Sequence, residues 1–379
     1  MIDTTVRLST AVLAALAISG CGMKPTVWQK VVDTGADETA VAIATGGINI
    51  YAAANVEQPG GSGSTWLIRK LSRDGTDIWT RTYKDAPVSA CGDIVADAQD
   101  NLFVVGRAVL SGKQLCVIAR YGLDGSLSWQ KGLDIGDNTS GTGICLLSDR
   151  RIAICGVTGS EANTDHMVAV LDGDGKTLWS HNYDICCADI ARAIAADAKD
   201  NLAFVGQHCD GDNTDIIIVK LDAKGDTVWT RRYDSGGQDT PGDIAFDPFG
   251  NMVATGTAVV GDSTRCVILE YDPDGGVIRK AAYGEQAMAT GRAICINDKS
   301  DIFVTGELLG KHRSEVLVFQ YVPGALSVWE RHYAPGTTAE GVDLVVPDDA
   351  YVLATVKNKT NDMAVYRFSR PPVRPAATR

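Results

Sequence analysis

The chain has 379 residues and a formal charge of −12 at neutral pH. That balance argues against nucleic acid or an anionic lipid surface as the main partner. Hydrophobic residues make up 45% of the chain, as in an ordinary soluble protein, and no apolar run of spanning length follows the N-terminal segment.

The first stretch reads as an export segment, to be set aside from fold reasoning. Arg7 supplies a thin positive region, and the apolar residues 8–18 have the length of a signal core. The segment ends in Ile18-Ser19-Gly20-Cys21, which resembles the lipobox of bacterial lipoproteins. By that resemblance residues 1–20 are a signal peptide, Cys21 takes a diacylglycerol and residues 21–25 are a tether. Two or three acyl chains bury enough methylene to hold a protein at a bilayer. The implied address is the bacterial cell envelope. In a Gram-negative cell it is the outer membrane, since Gly22 and not aspartate follows. An ordinary signal peptide with a cysteine near its end is the plainer alternative.

From there the chain repeats. Residues 171–183, LDGDGKTLWSHNY, join a strand end to a second strand through an Asp-Gly turn. The phrase recurs around Trp79, Trp129, Trp179 and Trp229, 50 residues apart, and around Trp329; Arg279 takes the intervening slot and Trp28 opens the series. Three more strand-like pieces lie between successive tryptophans, as in residues 191–197, 201–207 and 215–222. Gly106, Gly156, Gly206, Gly256 and Gly306 close the second piece, implying a left-handed residue or a close backbone approach. Length alone would suggest two or three domains, but a fixed period means one supersecondary unit stacked many times. Triplets start near residues 39, 90, 141, 190, 241, 291 and 341, giving seven. The series begins with a lone tryptophan strand and ends with a triplet, so chain start and chain end complement each other. The expected fold is all-β, a seven-bladed β-propeller over residues 26–368, its four-stranded antiparallel blades closed by the N-terminal strand pairing with the C-terminal blade.

The pattern D-x-x-G-x-x-x-W, a small-residue strand, then N-(I/L/M)-x-(V/A)-x-G resembles the bacterial seven-bladed propeller repeat proteins (SBBP-type), and distantly the NHL-type propellers. The resemblance implies that the first strand of each triplet lines the central channel and the tryptophan strand lies outermost. Arg279 departs from the pattern, as does blade seven, where Val356 stands at the offset of the closing glycine. Residues 369–379, rich in Pro and Arg, read as a disordered tail.

Several residues are candidates for a role. Trp28, Trp79, Trp129, Trp179, Trp229 and Trp329 either stack on ligands or, as a period-locked set, fill the gaps between blades. The Asp-Gly pairs at 74, 124, 174 and 274 are hairpin turns before they are calcium loops, because further ligands and a distal Glu are missing. Nine cysteines follow Cys21, and nine cannot all pair internally. Cys209 with Cys186 or Cys187 forms a plausible disulfide, with His208 beside it. A Cys/His metal site including His181 is the alternative, although no CxxC pair is present. Asp93, Asp243 and Asp343 recur at one inner-strand position near Arg192 and Arg292. They are placed to line the channel mouth, to bind a ligand or simply to solvate the channel. No HExxH, GxSxG or Gly-rich phosphate loop occurs, so neither catalytic residues, metal nor cofactor are expected. The functional expectation is a membrane-anchored, non-catalytic binding or scaffold module whose partner is an envelope protein or a glycan. The alternative is a quinoprotein-like enzyme: LDGDGKTLW resembles the tryptophan-docking repeat of those propellers, some of which carry adjacent cysteines as here at 186 and 187.

Overall fold

The computed structural model describes residues 27–369, apart from 59, 61–62, 87, 161–162, 186–188, 212, 285–287, 298, 323–328 and 335. The signal segment, Cys21, the tether and nearly all of the tail therefore lie outside the described residues. Within them, short β-branched and aliphatic runs bounded by Asp, Asn and Gly turns form seven separate antiparallel sheets. Blades one to six span residues 38–82, 89–133, 140–183, 190–233, 239–283 and 288–333; blade seven spans 338–368 plus Trp28–Val32. Each is a meander of first, second, third and outer strand, as in Ile190–Ala196, Leu202–Asp210, Asn213–Leu221 and Thr227–Tyr233. Only the first strand of blade six is split, into Met288–Ala289 and Ala293–Ile296.

First strands of neighbouring blades touch one another all the way round, blade seven meeting blade one. The ring is sealed where Trp28–Val32 pairs antiparallel with Asn361–Phe368, Trp28 opposite Arg367 and Val32 opposite Met363. The opening strand is thus the outer strand of the last blade.

The core lies between blades. Ala53, Ile68 and Trp79 of blade one bury against Ile94, Val104 and Val117 of blade two, and Ile50 and Leu67 against Leu353 and Val365 of blade seven. Burying such a side chain contributes about 1.5–3 kcal/mol, so the ring is held by apolar interfaces on both faces of every sheet. The tryptophans sit at the rim of these interfaces. Trp79 donates its indole N–H to Leu123 O at 3.0 Å, and a Cβ on Gly125 would lie 2.8 Å from its ring. Trp28 does the same to Arg73 O and Gly75, and Trp229 to Pro273 O and Gly275; Trp129 and Trp179 lie on Gly175 and Gly225. These turn glycines have φ between +74° and +89°, so both their backbone and the indole above them exclude a side chain. Arg279 instead pairs with Glu270 at 3.6 Å and lies over the Tyr321 ring. Trp329 is buried beside Phe303.

For the strand-closing glycines the close-approach reading is the right one. None of the five has a positive φ, but a Cβ at Gly106, Gly156 or Gly306 would lie 2.0–2.1 Å from a carbonyl oxygen of its own first strand. In blade seven the corresponding position is Ala354, opposite Gly341, and not Val356, which pairs with Ala339. The hairpin joining the first two strands there is two residues shorter, which shifts the offset read from the period.

Candidate functional site at the channel mouth

Each first strand carries a one-residue bulge near its start. In blade four Ala191 pairs with Gly206 and Ala193 with Val205, leaving Arg192 out of the ladder. The same skip leaves out Val41, Gly92, Thr142, Gly242 and Val342 in their blades, and Arg292 takes the matching place in blade six. A bulge re-aims the side chain it carries. Here Val41, Gly92, Thr142, Arg192 and Val342 line a cavity of about 270 Å³, with Arg107 and Asn55 joining from second strands. The two guanidinium groups of the ring differ. Arg292 is paired with Glu340 at 2.5 Å, whereas Arg192 is exposed and has no carboxylate within ion-pair reach among the described residues.

The aspartates that follow the bulges play a different part. Asp93 accepts the N–H of Ile94 at 2.7 Å and, through its other oxygen, that of Ile144 in blade three at 3.0 Å. Asp243 binds Ile244 and Ile294 in the same way, and Asp343 binds Leu344 and Ile43. Each carboxylate therefore bridges two first strands within the channel wall, joining blades two to three, five to six and seven to one. Burial pushes Asp93 up to about 7 and Asp243 up to about 6, while the N–H bonds and the charge of Arg192 pull both down. Burial also holds Asp343 well above the usual carboxylate range, and the charges of Asp243 and Asp93 add to it. The arrangement is a cationic mouth over an acidic wall.

The cysteine patch is only partly described. Cys186 and Cys187 lie outside the described residues, so the pairing expected with Cys209 is left to experiment. His208 and Cys209 lie within the second strand of blade four, near its end, His208 opposite Asp215 and Cys209 opposite Thr214. His181 stands edge-on to Trp179 and against Gly225. Cys116, Cys155 and Cys266 are free, buried small residues whose thiols burial pushes up to about 12. Among the Asp-Gly turns, Asp172 of LDGDG accepts the N–H groups of Asp174 and Lys176, so that oxygen serves the turn itself.

His166 carried no sequence signal. It is fully buried on the third strand of blade three, its Nε2 3.6 Å from Asp189 Oδ1, and burial holds it near 3. Gly206 leaves room for it, since a Cβ there would meet the imidazole at 2.7 Å.

The chain folds as a seven-bladed β-propeller. It superposes on the propeller domain of the Trilobed protease from Pyrococcus furiosus with a TM-score of 0.54 at 10% identity, over 87% of this chain and 93% of that one. The WD40 domain of Neurospora crassa Pan2 gives 0.55 at 8% identity, over 89% and 92%. Puromycin hydrolase gives 0.55 at 13% identity over 86% of this chain, which spans only 51% of the hydrolase. No family model matches the chain, and no curated protein matches it. Likeness at such identities is one of fold, and function has to be argued from the site.

Proposed function

We propose that this protein is a non-catalytic binding or scaffold module, held at the bacterial envelope by lipid on Cys21, whose channel mouth receives an anionic group. The observation that carries the reading is the pairing of Arg107 and Arg192 in one concave site. An unpaired guanidinium at the rim of a cavity presents forked donors that match carboxylate or sulfate geometry. The chain as a whole is acidic, so the charge of these two arginines is local and selects for a ligand presenting one or two anionic groups, not a polyanionic surface. An acidic envelope glycan or a carboxylate-bearing protein segment fits that description.

Retention of the mature protein on immobilised polygalacturonate tests the reading. Retention that falls at least tenfold in Arg192→Ala and Arg107→Ala, and is unchanged in Arg279→Ala far from the mouth, supports it. Retention unaffected by either mouth variant, or none at all, overturns the anionic-ligand assignment. The anchor is checked separately: Cys21→Ala releases the protein from the membrane fraction if the lipid reading is right.

A further inference from the structure

We propose that the seam closing the ring is a divalent-cation site of the hard, oxygen-liganded class that suits calcium, formed by Asp33, Glu38 and Asp362. Asp33 and Glu38 come from the start of the chain, flanking the turn into blade one, and Asp362 comes from the last strand. Their carboxylate oxygens lie within 4.8 Å of one another. Oxygens held on opposite sides of a calcium ion at about 2.4 Å are separated by about that distance.

Glu38 points to an occupant. It is fully buried; its Oε1 accepts the N–H and the hydroxyl of Thr34, but its Oε2 is buried with no hydrogen-bond partner. A buried carboxylate oxygen with nothing to bind costs several kcal/mol unless a cation or a donor meets it. No Lys, Arg or His among the described residues forms an ion pair with Asp33, Glu38 or Asp362. Burial, reinforced by the neighbouring carboxylates, raises both Glu38 and Asp362 above the usual range.

The repeat supplies an internal comparison. Asp215, Asp234 and Asp239 form the same cluster between blades four and five, with Asp215 and Asp239 fully buried. There Arg232 bonds to Asp215 and reaches Asp234 at 4.0 Å. Arg232 lies opposite Ile217, two residues beyond Asp215; the residue opposite Ala364, two beyond Asp362, is Val31. One copy of the cluster therefore carries its cation covalently, and the copy at the seam has a valine in that place. The seam is also the joint where an outer strand is tied to its third strand by no covalent turn. A cation there would link chain start to chain end.

Titration of the mature protein with calcium chloride, after removal of metal by a chelator, tests this. The expected result is one saturable site with Kd on the order of 10⁻⁴–10⁻³ M and a melting temperature about 2–4 °C higher in saturating calcium. Asp33→Asn, at an exposed position, weakens binding at least tenfold without unfolding the protein. Val31→Arg removes the calcium response and raises the melting temperature measured in chelator, because it supplies the missing charge. No saturable binding, or a response that persists unchanged in both variants, overturns the site.

Discussion

Asp93 Oδ2 accepts the backbone N–H of Ile144 across the gap between blades two and three at 3.0 Å, while Oδ1 holds Ile94 of its own strand at 2.7 Å. Both donors are main-chain N–H groups, so the bridge needs a side chain with two acceptor oxygens, which a carboxyl group offers and an amide does not. Blades three and four do without it: Gly143 stands at the equivalent position, where a Cβ would meet the Ala193 backbone at 3.0 Å. There the Thr142 hydroxyl donates to Ala191 O at 2.6 Å instead, a hydroxyl–carbonyl link in place of the carboxylate.

Replacing Asp93 with Asn keeps the size of the side chain but leaves one of the two N–H groups facing an amide nitrogen. An unsatisfied buried donor costs about 1–3 kcal/mol. Asp93→Asn is therefore expected to lower the unfolding free energy by that amount at pH 7, read as a lower urea midpoint with the slope of the transition unchanged. A midpoint equal to wild type shows that the bridge is dispensable.

The same carboxylates set a pH dependence. Asp93, Asp243 and Asp343 all titrate above the unfolded value near 3.8 in the folded ring. The folded state then holds protons that the unfolded chain has released, so their stabilising contribution is complete below about pH 4 and is lost as pH rises through 6 to 7 and beyond. His166 acts in the opposite sense only below about 6.5, where the unfolded imidazole takes up a proton and the buried one does not. Denaturant midpoints measured from pH 6.5 to 8 are expected to fall. A flat or rising profile in that window contradicts the assignment.

The strand-closing glycines predict a second kind of defect. A methyl at Gly156 would stand 2.0 Å from Ser140 O, a main-chain atom that moves only if the blade moves. Gly156→Ala is expected to cost more than about 2 kcal/mol, whereas Ala354→Gly, at the equivalent site of blade seven, costs only about 0.5–1 kcal/mol. Thermal unfolding of the two variants side by side checks the contrast.

The period made the architecture legible because it is written in residues whose roles are local: Asp-Gly turns, the hairpin Asn, the strand-closing Gly, the outer Trp. Closure was legible too, since a lone opening strand and an incomplete last unit can only complement each other. What the linear pattern does not carry is register. The bulges at 41, 92, 142, 192, 242 and 342 decide that Arg192, at a bulge, points into the cavity while Asp93, one place past the bulge of its own blade, turns into the wall. Read from adjacent places in the repeat, the two looked like joint channel-lining residues. The cluster of Asp33, Glu38 and Asp362 was beyond reach for another reason: Asp362 stands at the opposite end of the chain from Asp33 and Glu38, and only ring closure brings them together.

Arg192 couples the mouth to the wall beneath it. Its positive charge pulls down both Asp93 and Asp243, although it bonds to neither. Arg192→Gln should raise both further, leaving stability unchanged near pH 5, where the folded state holds its protons, and lowering it at pH 8, where ionisation loses its nearby cation. Arg292, already neutralised by Glu340, should show no such pH-dependent difference when replaced by Gln. The same logic applies to a ligand. An anion seated on Arg192 cancels its charge, so binding near pH 7 should be accompanied by proton uptake. Calorimetric titration in two buffers of different ionisation enthalpy reads that uptake directly. Equal heats in both buffers, with binding otherwise intact, mean that mouth and wall titrate independently.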